Sequence, residues 1–257
     1  MPLTDGPASN QRVALNLKGV TRRFGSFVAV DNLNMSIKTG ERRAILGSNG
    51  AGKTTLFNLI TGDFPLSEGS IEIEGVESSS LPTHKRIQAG LRRTYQHALL
   101  FDSLSVRDTL LLAVVGIHNK WHLIYPLKKN SKYHERAEAL AKVAGLSSKM
   151  DVLVGALSHG QKRQLEIGIA LSGDPKIVLF DEPAAGLSPA ERPVLTELLL
   201  SLPKELSVIL IEHDMDIALE TSTIVSVMHN GKHLLEGEPE EVVHSDIVRE
   251  IYVGKRQ

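Results

Sequence analysis

A glycine-rich stretch constrains the fold of this chain more than any other feature. Residues 47–54 read Gly-Ser-Asn-Gly-Ala-Gly-Lys-Thr, between the apolar residues 44–46 and the helix-like residues 55–60. The glycines let the backbone bend so that successive N–H groups point inward, and the following helix N-terminus adds a partial positive charge. This G-x-x-x-x-G-K-[ST] pattern predicts a loop that binds the phosphates of a nucleoside triphosphate. The alternative is a glycine-rich turn without a ligand.

Residues 47–54 are called the phosphate loop below. Lys53 is expected to reach the β- and γ-phosphates, and Thr54 is expected to ligate Mg²⁺. The predicted nucleotide-binding residues of the loop and of the residue after it are Gly47, Ser48, Asn49, Gly50, Ala51, Gly52, Lys53, Thr54 and Thr55.

Composition limits the remaining function classes. At 257 residues and 42% hydrophobic side chains, the chain can bury the core of one large domain. Its 29 Lys and Arg against 30 Asp and Glu give a formal net charge of -1, so no nucleic acid is expected as a partner. The absence of cysteine excludes disulfides, thiolate catalysis and cysteine-bound zinc. The longest apolar run, residues 110–115, is far too short to cross a bilayer.

The order of apolar segments predicts an α/β fold. Continuous apolar runs at 177–180, 208–211 and 224–228 indicate strands buried on both faces, as in a mostly parallel sheet. Residues 71–75 alternate like an antiparallel strand, and Asn230-Gly231 is a hairpin signal, so a small antiparallel β layer is expected.

The predicted organisation is a disordered tail and a single domain. The polar residues 1–10 form the tail, and residues 11–257 form the domain. Strand signals vanish between residues 94 and 161, where a helical subdomain is expected to be inserted into a core of residues 11–93 and 162–257.

Two adjacent carboxylates end the apolar run 177–180. The carboxyl ends of parallel strands are where ligand sites of α/β sheets lie. Asp181 is therefore expected to hold Mg²⁺, and Glu182 to orient and deprotonate an attacking water. The alternative is that both acids cap the next helix or lie solvated in a loop.

A further helix start is predicted at Ser158. Ser158 and Gln161 fit an S-x-x-Q capping box ahead of a helical run. Because a capped helix N-terminus with a nearby glycine is also a surface for phosphate, a structural and a functional reading are both open.

Five motifs in order resemble those of an ATP-binding cassette (ABC) ATPase subunit, with its P-loop NTPase core. The resemblance covers about residues 13–255. The motifs are the phosphate loop, Gln96 in residues 93–96, residues 157–161, residues 180–183 and residues 211–215.

The resemblance implies ATP as substrate and roles for further residues. Gln96 would reach the metal and the attacking water, so that Thr54, Gln96 and Asp181 are the implied Mg²⁺ residues. Glu182 would be the catalytic base, and His213 would contact the γ-phosphate and help to hold Glu182. Phe24 would stack on adenine. The alternative for His213 is a histidine that is hydrogen-bonded at a strand end without a catalytic role. The alternative for Phe24 is an ordinary core phenylalanine.

The resemblance also implies partners. Ser158, Gly160 and Gln161 would face the ATP of a second ABC ATPase subunit, either another copy of this chain or a paralogue. Two transmembrane permease subunits, and indirectly a periplasmic solute-binding protein, would complete a transporter, with this chain at the cytoplasmic face of the inner membrane.

Local sequence further resembles one group of these subunits. Residues 165–167, 182–187, 211–215 and 248–254 are similar to the ATPases of branched-chain amino acid importers, a group that includes importers of urea and amides. Lipopolysaccharide-type export ATPases are the nearest alternative. Soluble cassette ATPases that act on nucleic acid or the ribosome are a third possibility.

Two residues depart from the common family pattern. His159 stands where the family most often has glycine, and Ser188 stands where many members have Asp or Asn. Serine can hydrogen-bond across an interface but carries no charge and reaches less far. Whether this loop carries the communication that the family assigns to it is therefore an open question.

Overall fold

The structure is a computed structural model that describes residues 12–95, 100–118, 131–246 and 248. The predicted disordered tail, residues 1–10, and the predicted metal and water ligand Gln96 lie outside the described residues. Among the residues described, no helix has the length and apolar character needed to span a membrane.

The described residues form ten strands and eight α-helices. The strands are β1 (Val13–Phe24), β2 (Phe27–Lys38), β3 (Arg42–Leu46), β4 (Glu68–Ile73), β5 (Val76–Glu77), β6 (Leu91–Arg93), β7 (Ile177–Asp181), β8 (Ser207–Ile211), β9 (Ile224–His229) and β10 (Lys232–Gly237). The helices are α1 (Lys53–Thr61), α2 (Thr83–Gln88), α3 (Val106–His118), α4 (Lys132–Val143), α5 (His159–Ala170), α6 (Arg192–Ser201), α7 (Met215–Thr221) and α8 (Pro239–Val243).

The larger sheet confirms the predicted, mostly parallel core. Its strand order is β10-β9-β3-β8-β7-β6, and only the β9–β10 pair is antiparallel. Every residue of β7 and β8 is buried, as expected for continuous apolar strands covered on both faces. The edge strand β10 returns through Asn230 and Gly231, both with positive φ, so the predicted turn is confirmed. The hairpin belongs to this mostly parallel sheet, however, and not to the antiparallel layer in which the sequence analysis placed it.

The second sheet is the predicted antiparallel layer. Its order is β2-β1-β4-β5, with every neighbouring pair antiparallel. Ile71 and Ile73 of β4 are buried while Glu72 between them is only half-buried, which explains the alternating pattern in the sequence.

Two buried clusters arrange the layers. Helix α1 places Leu56, Phe57, Leu59 and Ile60 in a cluster with inward residues of β1, β2 and β4 and with one face of the parallel sheet. The other face of β7 and β8 packs with α3, α4, α5 and α6. Helices α3 and α4 lie within residues 94–161, where the sequence predicts a helical subdomain, whereas the boundaries of that subdomain stay a prediction.

The phosphate loop is packed against the antiparallel sheet and the β9–β10 turn. The Gly231 N–H donates to the Ala51 carbonyl at 3.0 Å, and the Asp31 N–H donates to the Gly231 carbonyl at 2.9 Å. A Cβ on Gly52, where φ is +98°, would lie 2.4 Å from the Ala29 carbonyl oxygen. Glycine is therefore required at this position by backbone conformation and by the close approach of β2.

Gly52→Ala is expected to destabilise the protein more than Gly50→Ala. Both positions have positive φ, but a Cβ on Gly50 meets nothing within 4 Å. We expect about 1–2 kcal/mol from the left-handed backbone in either variant, and a further cost of about 1–3 kcal/mol from overpacking in Gly52→Ala. Urea unfolding of both variants measures the difference, and equal losses would contradict the close contact with β2.

Candidate functional site

The predicted catalytic residues Glu182 and His213 and most of the phosphate loop meet at one cleft. The cleft has a volume of about 660 Å³ and lies at the carboxyl edge of the parallel sheet, between β3, β7 and β8. Its lining residues are Phe27, Ala29, Asn49, Gly50, Ala51, Gly52, Lys53, Thr54, Thr55, Glu182 and His213. Glu182 and His213 are distant in sequence from the phosphate loop. They lie beside it because β7 and β8, which precede them, are near β3 in the sheet.

Lys53 begins α1 and is held inside the phosphate loop. Its side-chain Nζ donates to the carbonyls of Gly47 at 2.6 Å and Ser48 at 3.2 Å, and the residue is 6% exposed. Burial lowers the pKa of the Lys53 ammonium, and the negative charges of Glu182 and Asp181 oppose that shift. The loop thus holds a cation next to the backbone N–H groups at the start of α1, an arrangement suited to phosphate.

Asp181 ends β7 as a buried carboxylate with one oxygen occupied. Its Oδ2 accepts a hydrogen bond from Arg93 Nη2 at 2.6 Å, and the residue is 1% exposed. Its Oδ1 is also buried but has no hydrogen-bond partner among the described residues. Burial raises the pKa of Asp181, while the hydrogen bond and charge of Arg93 counteract it.

Arg93 is a residue of this site that the sequence analysis did not assign. Besides Asp181, its guanidinium donates to Asn58 Oδ1 of α1 at 2.5 Å and lies 4.8 Å from the ring centre of Tyr95. Arg93 therefore ties β6 to β7 and α1. Its position three residues before Gln96 is the one sequence feature that points to this site. The sequence does not show which carboxylate Arg93 contacts.

Glu182 and His213 form a pair on the cleft. The Glu182 N–H donates to the Ile211 carbonyl at 2.9 Å, and Glu182 has a φ of +50°, a left-handed conformation rare for a residue with a side chain. Glu182 Oε1 lies 2.7 Å from His213 Nε2. The structure thus brings together the two residues that the family resemblance links, and strained backbone of this kind is concentrated at functional sites.

A second buried acid, also unassigned from the sequence, supports this pair. Glu212 Oε1 accepts from the Ala184 N–H at 2.8 Å, and Oε2 accepts from the His213 N–H at 3.0 Å. Burial raises the pKa of Glu212, and these backbone N–H groups oppose the shift. Glu212 therefore joins the segment after β8, which carries His213, to the segment after β7, which carries Glu182.

The predicted start of α5 is confirmed, but it lies at a different cleft. Ser158 caps the helix: its Oγ accepts from the Gln161 N–H, and the Gln161 side chain accepts from the Ser158 N–H. Ser158, Gly160 and Gln161 line a separate cleft of about 240 Å³ together with Glu191. None of these residues lines the cleft at the phosphate loop.

The structure places two phenylalanines near the start of β2. Phe24 is 41% exposed and packs edge-on against Phe64 with ring centres 5.6 Å apart, beneath the Arg22 guanidinium. Phe27 is 63% exposed and lines the cleft. Adenine stacking by Phe24 stays a prediction, and Phe27 is a further aromatic that the sequence analysis did not single out.

The buried Arg93–Asp181 pair predicts a large loss of stability in Arg93→Met. Removing one partner of a buried ion pair leaves the other charge uncompensated, which costs about 3–5 kcal/mol. The matched control is Arg107→Met, because Arg107 pairs with the exposed Glu138 and Asp151 at the surface, where such pairs contribute about 0–1 kcal/mol. Urea unfolding at neutral pH compares the two variants, and similar losses would contradict a buried, ionised pair.

Comparisons with known proteins agree with this geometry. The sequence profile of the family described as ABC transporter matches residues 30–185. The high-affinity branched-chain amino acid transport ATP-binding protein BraF of Pseudomonas aeruginosa is 34% identical over 252 residues, 95% of this chain and 99% of BraF. The protein of the same description named LivG, from Escherichia coli strain K12, is 34% identical over 249 residues, 94% of this chain and 98% of LivG.

Solved structures agree as well. The ADP conformation of MJ1267, an ATP-binding cassette of an ABC transporter, superposes with a TM-score of 0.83 at 30% identity, covering 95% of this chain and 99% of that chain. A nucleotide-free ATP-binding cassette from an ABC transporter gives a TM-score of 0.81 at 28% identity, covering 95% and 100%. With the profile spanning more than half of its length and the relatives nearly all of it, this chain belongs to the ATPase subunits of the ABC transporter family.

Proposed function

We propose that this ABC ATPase energises the uptake of branched-chain amino acids or related small polar solutes, through ATP-driven closure of two ATPase subunits. One observation carries the ATPase chemistry: the Glu182–His213 pair faces the phosphate loop across a single cleft. The solute class is supported by BraF and LivG, which are branched-chain amino acid transport proteins by description.

The phosphate loop binds the triphosphate of ATP in this proposal. Lys53 Nζ is held by the Gly47 and Ser48 carbonyls, and phosphate oxygens replace those carbonyls as its partners. The backbone N–H groups at the start of α1 supply further donors, and the helix dipole favours negative charge there. Phe24 and Phe27 are the two aromatic side chains near this end of the antiparallel sheet that can contact adenine.

Glu182 acts as the general base. Its carboxylate accepts a proton from the water that attacks the γ-phosphate, and His213 fixes the position of that carboxylate through the 2.7 Å contact. Glu212 holds the backbone on both sides of the pair, at Ala184 and at His213. The base is therefore positioned by hydrogen bonds before substrate binds.

The residues present fit Mg²⁺ as cofactor. Asp181 Oδ1 is a buried carboxylate oxygen without a partner among the described residues, and Thr54 lies on the cleft. Mg²⁺ is usually held by one or two carboxylates together with substrate phosphates. Thr54, Asp181 and Gln96 are the proposed metal residues, and the ion would neutralise charge that develops on the phosphates.

A second ATPase subunit completes the site. Ser158, Gly160 and Gln161 line their own cleft, apart from the phosphate loop of the same chain. They can therefore donate to ATP bound by another subunit, whether a second copy or a paralogue. ATP would join the two subunits, and hydrolysis would remove the charge that joined them.

The proposal predicts that Glu182→Gln separates binding from hydrolysis. The amide preserves size but cannot accept the proton, so we expect ATP binding to be retained and turnover to fall by at least about 100-fold. Equilibrium binding of ATP and steady-state phosphate release measure the two effects. The control is Glu205→Gln, an exposed acid before β8, and an unchanged turnover in Glu182→Gln would mean that Glu182 is not the base.

A groove beside the Asp181–Arg93 pair is the proposed docking surface for the transmembrane permease. It has a volume of about 650 Å³, and its lining includes the half-exposed apolar residues Ile87, Tyr95, Leu100 and Ile117. The segment after Gln96, including residues 97–101, resembles the surface on which such subunits receive a helix of the membrane component, although its apolar content also fits plain core packing. Leu100 belongs to this segment and Tyr95 precedes it. Arg93 lines the same groove, so a bound permease would contact the side chain that holds Asp181. In this proposal the chain lies at the cytoplasmic face of the inner membrane.

The docking proposal predicts that Ile117→Gln weakens recovery of the transporter from native membranes in mild detergent. With the natural chain we expect two permeases, a second ATPase and a periplasmic amino-acid receptor, identified by mass spectrometry. A polar side chain in the groove should reduce recovery of the permeases, whereas Leu112→Gln, on an exposed part of the same helix outside the groove, should not. Lipid-export companions would overturn the import assignment, and equal recovery of permeases by both variants would overturn the groove as docking surface.

A further inference from the structure

Glu191 joins the start of α5 to the loop before α6 through both of its carboxylate oxygens. Oε1 accepts hydrogen bonds from Ser158 Oγ at 3.0 Å and from the Gly160 N–H at 2.9 Å. Oε2 accepts from the Ser188 N–H at 3.0 Å and from Ser188 Oγ at 2.8 Å. A negatively charged group therefore already occupies the donors at the N-terminus of α5.

Only half of this arrangement is explained by local helix structure. Ser188 and Glu191 lie in the turn before α6, whose N-cap is Glu191, so the two bonds to Oε2 are local contacts between residues three apart in sequence. The bonds from Ser158 and Gly160 to Oε1 cross to a different helix, 33 and 31 residues away in sequence. Neither is needed to start α6.

The donors that Glu191 occupies are the ones that the proposed function requires for ATP. The Ser158 hydroxyl has one proton and donates it to Glu191, because an ionised carboxylate can only accept, while a lone pair of Oγ accepts from the Gln161 N–H. The Gly160 N–H likewise has a single proton. A γ-phosphate carried by a second subunit therefore cannot bind these groups while Glu191 keeps them.

The charge of Glu191 is a second reason why the carboxylate and a phosphate cannot bind the same donors together. The four donors from Ser188, Gly160 and Ser158 lower the pKa of Glu191 to about 2, so the carboxylate is ionised at neutral pH. A phosphate placed beside it would bring two anions together at one helix N-terminus, which favours only one of them at a time.

We propose that Glu191 is an internal substitute for the γ-phosphate, which must release Ser158 and Gly160 before the ATP of a second subunit can bind them. Glu191 thereby sets how much ATP is needed to join the subunits. This inference rests on the proposed function of ATP-driven pairing.

The departure at Ser188 fits this role. The Ser188 hydroxyl donates to Glu191 Oε2. Many members of the family have Asp or Asn at this position, and an aspartate would place a second negative charge beside Glu191. Serine therefore lets the loop before α6 hold the carboxylate, so that release of Glu191 from α5 and movement of this loop are linked.

The test compares Glu191→Gln with its parent in the Glu182→Gln background, using the chain and the ATPase subunit with which it co-purifies. Sedimentation velocity at increasing ATP gives the concentration for half-maximal association. The amide keeps the size of the side chain but removes its charge, so we expect association at about tenfold lower ATP, the equivalent of about 1.4 kcal/mol.

Two controls separate this effect from damage to the fold. Glu197→Gln removes an exposed charge from the same helix, α6, away from α5, and should leave the ATP requirement unchanged. Ser188→Ala removes one donor to Glu191 and should lower the requirement in the same direction but by less. Thermal unfolding and ATP binding without the partner confirm that each variant is folded and that its phosphate loop is intact.

The outcomes distinguish the two proposals. If the parent associates with ATP but Glu191→Gln and Ser188→Ala need as much ATP or more, Glu191 only organises the helix start and the inference is wrong. If the parent never associates with ATP, the proposed function fails and the inference fails with it. A lower requirement in both variants, with no change in Glu197→Gln, supports the exchange.

Discussion

The carboxyl edge of the parallel sheet is the constraint on which the site depends. Strands β3, β7 and β8 run in the same direction and end together, so the segments that follow them open on one cleft. Those segments are the phosphate loop, Asp181-Glu182 and the turn that carries His213. Because each strand is fully or almost fully buried, these segments start from rigid positions, and short hydrogen bonds suffice to fix the side chains.

Buried charge at this edge is balanced by specific partners. Arg93 compensates one oxygen of Asp181 and leaves the other free of protein partners among the described residues, while the phosphate loop surrounds the Lys53 ammonium. Glu212 is satisfied by backbone N–H groups. This edge of the sheet thus combines a lysine ammonium in the phosphate loop, a buried carboxylate oxygen without a partner among the described residues, and a glutamate in contact with a histidine.

The chain by itself carries two incomplete halves of the proposed ATP site. The phosphate loop lies at one cleft, and the start of α5 lies at another, where Glu191 holds its donors. In the proposed mechanism, a site divided in this way couples ATP binding to subunit association. The groove next to Arg93 would extend the same coupling towards the membrane subunits, because one side chain borders both the groove and Asp181.

Sequence alone determined the fold class and the ATPase family of this protein. Continuous apolar runs predicted the parallel core, the alternation in residues 71–75 predicted an antiparallel strand, and the S-x-x-Q pattern predicted the helix start at Ser158, and all three are confirmed. The assignment of single residues to metal, base and partner contacts stays a prediction, and the tail and Gln96 lie outside the described residues.

Only the tertiary structure decided which distant groups meet. Arg93 with Asp181, Glu212 with Ala184, and Glu191 with Ser158 are each separated by 28 to 88 residues, so no local periodicity could pair them. Such contacts follow from strand order and helix packing, which bring together side chains whose types are ordinary in the sequence. The sequence therefore identifies the chemistry available to the chain, whereas packing determines which charges stay compensated and which donors are already taken.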